Sequence, residues 1–318
     1  MRSWRSVAIP FDVLALFGPT AAGKSALAHA AALRLGGEII VADPFQRYRG
    51  LEIAADAPSA ADRADVAYHF VGDLELIESS SAGEFAARAH EAIDQVRARG
   101  RVPIVTGGTA LYLRAALTEL GFPPSVSTET RTWAEGLVAR DMPMAVAELA
   151  RRDPAAAARV DTANPRRLAR ALELAGSPES QGAPTGRLWD DSMRIPTCLV
   201  VVTRPREVLD RLIATRVQRE IDDGLVSELE RALDAPATSR EALQIIGARE
   251  VAGMRTGEIT PAQLSGLLEA RTRRLARRQL AWVRRWPHAR VIDLDDAPAV
   301  GALGVLLEIW DGSASDDV

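Results

Sequence analysis

Short apolar runs recur along the chain and predict strands. They are Val13–Phe17, Glu38–Ala42, Val102–Val105, Thr197–Val202 and Arg290–Leu294. Short runs of this kind, with Gly, Pro or Asp close by, are typical of strands that are buried on both faces of a parallel sheet. The chain is therefore predicted to build its core around one such sheet.

Amphipathic stretches lie between these runs and predict helices. Ser25–Leu35 and Gly83–Arg99 carry apolar residues at helical spacing, and long helices are predicted from about Arg206 to Leu233 and from Pro261 to Trp286. Strands that alternate with helices indicate an α/β fold whose parallel sheet is covered on both faces. In such folds, ligands gather at the carboxyl ends of the strands.

The pattern changes from Gly121 to about Ile195, where alanine-rich amphipathic helices replace the strands. We interpret residues 122–195 as a helical insertion domain. Residues 1–121 and 196–318 are then the two parts of the core that contains the sheet.

Composition limits the classes of protein to which the chain can belong. A formal net charge of −4 over 318 residues argues against a protein that is basic throughout, and no apolar run approaches the roughly 18 residues that span a bilayer. Cys198 is the only cysteine, so it has no internal disulfide partner, and packing is its expected role. We expect a cytoplasmic protein that does not bind membranes.

The strongest chemical signal is a complete G-x-x-x-x-G-K-[ST] phosphate-binding loop after the first predicted strand. Lys24 within it is the only lysine of the chain. A compact ammonium group reaches between phosphate oxygens where the planar fork of Arg does not fit. The alternative is that base composition removed the other lysines and that Lys24 remained by chance. The glycine spacing is independent evidence for a bound di- or triphosphate. The predicted phosphate-binding residues are Gly18, Pro19, Thr20, Ala21, Ala22, Gly23, Lys24 and Ser25.

Polar residues also follow the next two predicted strands. Asp43 comes directly after the second strand, and Thr109 comes after the third strand and two glycines. At these places Asp43 can act as a general base and Thr109 can donate to a phosphate oxygen. The alternatives are a turn-forming Asp before Pro44 and a simple helix N-cap at Thr109. The third strand ends without an acid, which weighs against ATP hydrolysis.

A stretch rich in arginine and free of acids predicts a contact with nucleic acid. Apolar residues at helical spacing mark an inward face, so the arginines are expected to project outward, and Trp282 and Trp286 are available to stack on bases. A solvated helix face is the alternative, although such faces usually mix Glu with Arg. The arginines are Arg271, Arg273, Arg274, Arg277, Arg278, Arg284 and Arg285.

Taken together, these segments resemble the IPP transferase family, the tRNA dimethylallyltransferases. The family's fold, a P-loop nucleotide-kinase-like core with a helical insertion, agrees with the prediction above. The resemblance rests on the phosphate loop and on five further segments in order along the chain. They are Ala-Asp-Pro-Phe-Gln-Arg-Tyr-Arg-Gly at 42–50, Gly-Gly-Thr-Ala-Leu-Tyr at 107–112, Arg-Arg-Leu-Ala-Arg-Ala-Leu-Glu at 166–173, Ile246-Gly247, and Thr-Arg-Arg-Leu-Ala-Arg-Arg-Gln at 272–279 before Trp282.

The resemblance implies that the phosphate loop holds dimethylallyl diphosphate, with Mg²⁺ on Ser25. Lys24, Thr109 and Arg216 would offset charge on the leaving diphosphate, and Asp43 would take a proton from the N6 amine of an adenine. The adenine is expected at position 37, beside the anticodon of a tRNA, and must be flipped out to reach the site. A monomeric protein is expected.

The resemblance also implies which residues contact the anticodon stem-loop of the tRNA. They are Asp43, Pro44, Phe45, Gln46, Thr109, Arg131, Arg166, Arg167, Arg170, Gln244, Gly247, Arg249, Arg273, Arg277 and Arg278. Some positions depart from the family pattern. Residues 54–57 are Ala-Ala-Asp-Ala where the family typically has Gly-Thr-Ala-Lys, and Pro44, Pro165 and Ala248 replace the usual Ser, Asp and Tyr.

Three other functions fit parts of the sequence. An isopentenyltransferase that acts on free adenine nucleotides would need no extended basic surface. A small-molecule kinase would use ATP in the same phosphate loop. A non-catalytic RNA-binding protein would keep only the basic surface.

Overall fold

The computed structural model describes residues 11–122, 126–175, 192–286 and 288–312. The chain forms two compact units, one made of residues 1–119 and 191–318 and the other of residues 120–190. The described part of the first unit contains a sheet with helices, and the described part of the second is helical.

A six-stranded sheet lies at the centre of the first unit, with the order β3-β2-β4-β1-β5-β6 and parallel pairing throughout. The predicted α/β fold with a parallel sheet is therefore confirmed, and all five predicted strands are present. The structure adds β3, whose two residues are too short a signal to find in the sequence. The strands are β1 Val13–Phe17, β2 Glu38–Val41, β3 Tyr68–His69, β4 Pro103–Gly107, β5 Thr197–Thr203 and β6 Arg290–Asp293.

Helices of both units complete the described fold. In the first unit they are α1 Lys24–Leu35, α2 Ala60–Asp65, α3 Ala82–Ala98, α4 Ala110–Leu117, α9 Arg206–Asp222, α10 Leu225–Asp234, α11 Ala248–Arg255, α12 Pro261–Val283 and α13 Leu303–Trp310. In the second unit they are α5 Thr128–Arg140, α6 Met142–Arg152, α7 Pro154–Arg159 and α8 Pro165–Leu174. The stretch predicted as helical from Arg206 to Leu233 is two helices, because Gly224 takes a φ of 101° and caps α10.

Apolar clusters stabilise the first unit, and two of them surround the site. One packs the sheet against α1 and α13, and the other packs α9, α10, α11 and α12 against Tyr48, Leu51 and Leu74. Both β1 and β4 are buried along their whole length, as expected for strands covered on both faces. Within the described ranges, every helix is too short or too polar to cross a lipid bilayer.

The second unit is a bundle of four described helices with its own small core. Ala134, Leu149 and Leu168 are fully buried within it. Asp and Asn side chains cap α6, α7 and α8, and each of these helices has a proline in its first turn, where a missing N–H costs little. Pro165, one of the departures from the family pattern, occupies such a place in α8 and fits the helix.

We predict that Gly107→Ala destabilises the sheet beside Asp43. An added Cβ would overlap the main-chain carbonyl oxygen of Ala42, so β2 and β4 would have to separate. Overpacking of this kind costs about 1–3 kcal/mol of unfolding free energy, which denaturant titration measures. Gly266→Ala is the control, since it has open space in α12 and should gain up to about 1 kcal/mol. An unchanged stability for Gly107→Ala would contradict the close approach of Gly107 to the Ala42 carbonyl oxygen.

Candidate active site

A cavity of about 710 Å³ lies at the carboxyl ends of β1, β2 and β4 in the first unit. Its walls include the phosphate loop after β1, Asp43 after β2 and the two glycines at the end of β4. Residues 54–58 and side chains of α9 and α12 close the other sides. The site therefore lies where ligands of parallel α/β sheets are expected.

The phosphate loop leads into the N-terminus of α1. Gly23 caps α1 with a φ of 95°, and the first N–H groups of the helix have no partner within it. These groups and the helix dipole together favour a bound phosphate. Ser25, in the first turn of α1, is exposed and lines the cavity. The predicted phosphate site thus has the geometry that an anion needs.

Side chains from three distant parts of the sequence hold this loop. The Thr20 N–H donates to Gln279 Oε1 at 2.8 Å, and the Thr20 hydroxyl accepts from Arg216 Nη1 at 2.7 Å. Arg204, which is 8% exposed, donates through Nε to the Ala22 carbonyl at 3.1 Å. Ala21 between them has a φ of 63°, which is unfavourable for a residue with a side chain. The flanking bonds keep Ala21 in this conformation.

Lys24 reaches across the loop, where its Nζ donates to the Pro19 carbonyl at 3.0 Å. Burial lowers the pKa of Lys24 to about 8, and the positive charge of Arg216 acts in the same direction. The carboxylates of Asp43 and Asp56 oppose this shift. The lysine therefore loses its proton at a lower pH than an exposed lysine does.

The position of Asp43 is compatible with both of the roles that the sequence left open. Its Oδ1 accepts a hydrogen bond from the Phe45 N–H at 2.9 Å, which forms a turn, and the same residue lines the cavity. Burial raises the pKa of Asp43, while the N–H donors of Phe45 and Gln46 and the charge of Lys24 pull it down. A carboxylate with a raised pKa is a stronger base than an exposed one.

Arg216 lines the cavity as part of an ion-pair network. It contacts Asp56 Oδ2 at 3.1 Å through Nη1 and donates to Glu220 Oε1 at 2.6 Å through Nε. Arg219 donates to the other oxygen of Asp56 at 2.6 Å. Asp56 belongs to the segment that departs from the family pattern, so here the departure brings an acid to the anion site.

Thr109 does not contribute to the walls of the cavity. It precedes α4 as the N-cap residue, but its side chain makes no capping hydrogen bond. Its predicted contacts with phosphate and RNA stay predictions.

The arginine-rich stretch is less uniform than its sequence indicates. Outward projection was wrong for Arg271 and Arg273, which are half-buried. Arg271 donates to Glu250 at 2.7 Å, and Arg273 donates to Glu269 at 2.6 Å. The others are exposed, and they are Arg274, Arg277, Arg278, Arg284 and Arg285. Glu250 of α11 therefore pairs with Arg271, while Arg273 pairs with Glu269 of its own helix and with Asp210 of α9.

The remaining residues predicted to contact RNA differ in exposure. In the first unit, Gln244 and Arg249 are exposed and Gly247 is buried, while Pro44, Phe45 and Gln46 are half-buried. In the second unit, Arg166 and Arg167 are exposed at the start of α8, and Arg131 and Arg170 are half-buried. Arg170 donates to Glu173 at 2.7 Å. RNA contact stays a prediction for all of these residues.

Sequence reasoning gave no role to three residues of the site. Gln279 continues the helical spacing of the buried residues Leu268, Thr272 and Ala276, so an inward amide could have been found from its position. Arg204 follows β5 directly, which is again a strand end. Nothing in the sequence alone pairs Asp56 with two arginines of α9.

A model of the IPP transferase family matches residues 46–286. A protein named tRNA dimethylallyltransferase from Thermomicrobium roseum is 37% identical over 89% of this chain and 86% of its own length. A protein of the same name from Salinispora tropica is 40% identical over 90% of this chain and 88% of its own length. The tRNA isopentenylpyrophosphate transferase of Bacillus halodurans has a similar structure, with a TM-score of 0.69 at 27% identity over 95% of this chain and 97% of that one. A eukaryotic dimethylallyltransferase, solved acting on tRNA, shares the fold with a TM-score of 0.71 at 22% identity over 95% of this chain and 76% of that one.

We predict that affinity for inorganic diphosphate depends on the protonation of Lys24. Because the pKa of Lys24 is lowered to about 8, a growing share of the lysine is neutral above that pH, and the affinity should fall there. Calorimetry should also detect proton uptake on binding. Lys24→Met is the control, since methionine is uncharged at every pH and the ratio of the two affinities cancels titration of the ligand. A ratio that stays constant from about pH 7 to about pH 10 would contradict the lowered pKa.

We predict that Asp56→Asn binds inorganic diphosphate about fivefold more tightly at low ionic strength. The variant removes a negative charge that competes for Arg216, a change of about 1 kcal/mol for charges at this separation. The gain should shrink as salt is added. Asp222→Asn, which removes the same charge from the exposed side of α9, should change the affinity little. Weaker binding by Asp56→Asn would show that the acid assists the ligand instead.

Proposed function

This chain belongs to the IPP transferase family, and we propose that it transfers a dimethylallyl group from dimethylallyl diphosphate to the N6 amine of an adenine in tRNA. The match over residues 46–286 and the relatives named tRNA dimethylallyltransferase support this activity. The observation that carries the proposal is that Lys24, Arg216 and Asp43 line one cavity. The cavity therefore supplies cations that can bind a diphosphate and a carboxylate that can accept a proton.

The diphosphate is proposed to lie on the N-terminus of α1. The first N–H groups of the helix, Lys24 and Arg216 would stabilise the negative charge that grows on the leaving diphosphate as the carbon–oxygen bond stretches. When the diphosphate binds, Arg216 would exchange its contact with Asp56 for a contact with the ligand. A bound diphosphate would also raise the lowered pKa of Lys24, because it offsets the burial and the charge of Arg216 that lower it.

Mg²⁺ is proposed to bind together with the diphosphate. The exposed Ser25 hydroxyl makes no hydrogen bond within the part of the chain that the structure describes, and it faces the same cavity as Lys24. The described residues hold no group of three His, Cys, Asp or Glu side chains that would cage a metal. Mg²⁺ usually keeps water and substrate oxygens as ligands, so one hydroxyl fits it. The ion would neutralise charge on the diphosphate oxygens.

Asp43 is proposed to be the base. The lone pair of the adenine N6 amine is delocalised into the ring, so the amine attacks well only if its proton leaves as the new bond forms. The nitrogen bonds to the first carbon of the dimethylallyl group, the bond from that carbon to the diphosphate oxygen breaks, and the proton passes to the Asp43 carboxylate. The raised pKa of Asp43 favours this transfer.

The tRNA is proposed to bind to exposed basic residues of each unit. In the first unit these are Arg277, Arg278 and Arg249, and in the second unit they are Arg166 and Arg167. Phosphate contacts of this kind make affinity fall steeply with salt. The anticodon stem-loop is the proposed target, with the modified adenine at position 37. The monomeric state and the cytoplasmic location stay predictions.

We predict that Asp43→Asn lowers the rate of prenyl transfer at least about 100-fold, the usual minimum for loss of a general base. The assay incubates labelled dimethylallyl diphosphate and Mg²⁺ with unmodified tRNA and measures labelled RNA. In the wild type the rate should fall as pH falls through the raised pKa of Asp43, because a protonated carboxyl group accepts no proton.

Two controls make this experiment decisive. Asp43→Asn should still bind inorganic diphosphate, which separates lost chemistry from lost folding. Replacing tRNA by AMP tests whether the enzyme accepts free nucleotides. Labelled AMP with unlabelled tRNA would contradict the proposal, and so would a wild type that labels neither.

A further inference from the structure

One buried amide joins the phosphate loop to the end of the central strand β4. Gln279 in α12 is 6% exposed, its Oε1 accepts from the Thr20 N–H at 2.8 Å, and its Nε2 donates to the Gly108 carbonyl at 3.0 Å. Only this orientation of the amide satisfies both main-chain groups, because the opposite one would set oxygen against oxygen. Both polar atoms of the Gln279 side chain are thus hydrogen-bonded to main-chain groups of the site.

The surrounding backbone is built to receive this amide. A Cβ on Gly108 would occupy the place of Gln279 Nε2, so a glycine is needed there for the side chain to enter. On the other side, the bond to Thr20 lies next to Ala21, whose φ of 63° is unfavourable. Conformations of this kind persist when neighbouring contacts fix them.

We propose that Gln279 is a positioning residue that holds the phosphate loop and the Gly107–Thr109 turn in the geometry that binds diphosphate. It acts through Thr20 and Gly108, since both of its polar atoms are bonded to them. The proposal rests on the proposed function only for the identity of the ligand. The same helix carries the exposed Arg277 and Arg278, so its two faces would serve the donor and the tRNA separately.

Gln279→Leu tests the proposal, because leucine keeps the volume and removes both hydrogen bonds. We expect the dissociation constant for inorganic diphosphate with Mg²⁺ to rise about five- to tenfold, the equivalent of one hydrogen bond. The KM for dimethylallyl diphosphate should rise with it, while affinity for tRNA stays within about twofold of wild type. Thr118→Val is the control for loss of a buried hydrogen bond: its hydroxyl donates to the Arg114 carbonyl at 2.8 Å, and the variant should keep the wild-type affinity for diphosphate.

Gln279→Glu separates positioning from a general loss of stability. At high pH a carboxylate would face the Gly108 carbonyl and weaken diphosphate binding, whereas the protonated acid can again donate to Gly108 and accept from Thr20. The ratio of wild-type to variant affinity should therefore fall towards one as pH is lowered. This variant also gives an answer if Gln279→Leu does not fold.

Three results would overturn the proposal. They are an unchanged diphosphate affinity in Gln279→Leu, an equal loss of diphosphate and tRNA affinity, and an affinity ratio for Gln279→Glu that does not change with pH. A wild type that binds no diphosphate would instead contradict the proposed function, so the two failures are distinguishable.

Discussion

The site depends on how the phosphate loop is held. An isolated loop with a left-handed alanine would relax, and its N–H groups would not stay aligned on one anion. Here the loop is bonded by Arg204 after β5, by Arg216 in α9 and by Gln279 in α12. All three lie far along the chain, so the second half of the chain completes a site that the first half begins.

The charges of the residues that meet in the cavity are the second constraint on the site. The cavity brings Lys24 and Arg216 together, and such a pair repels unless an anion is present. Without a ligand, the carboxylates of Asp43, Asp56 and Glu220 supply the negative charge. A bound diphosphate would take over this role, so the ion pairs of the free protein should rearrange on binding.

Local signals were enough to predict much of the fold. Apolar runs located five of the six strands, and the phosphate-loop glycines fixed the start of α1. The break at Gly224 was missed because one glycine inside a long amphipathic stretch is compatible with a continuous helix. The strand β3 was missed because two residues carry no periodicity.

The site was harder to predict because its contacts are distant in sequence. Asp43 and Lys24 could be placed at one edge of the sheet, since each follows the carboxyl end of a parallel strand. The ion pairs of Asp56 with Arg216 and Arg219, and of Arg271 with Glu250, depend on how helices pack, which spacing along one helix does not reveal. The spacing of Gln279 could have marked it as an inward polar residue, but nothing in the sequence points to its partners Thr20 and Gly108.

A crystal structure of the protein with an unreactive analogue of dimethylallyl diphosphate and an anticodon stem-loop would show whether Asp43 is placed to act as the base. We expect the diphosphate on the first N–H groups of α1 and Arg216, with an Asp43 carboxylate oxygen about 3 Å from the N6 amine of a flipped adenine. A complex in which Asp43 lies far from both the adenine and the reacting carbon of the donor would contradict it.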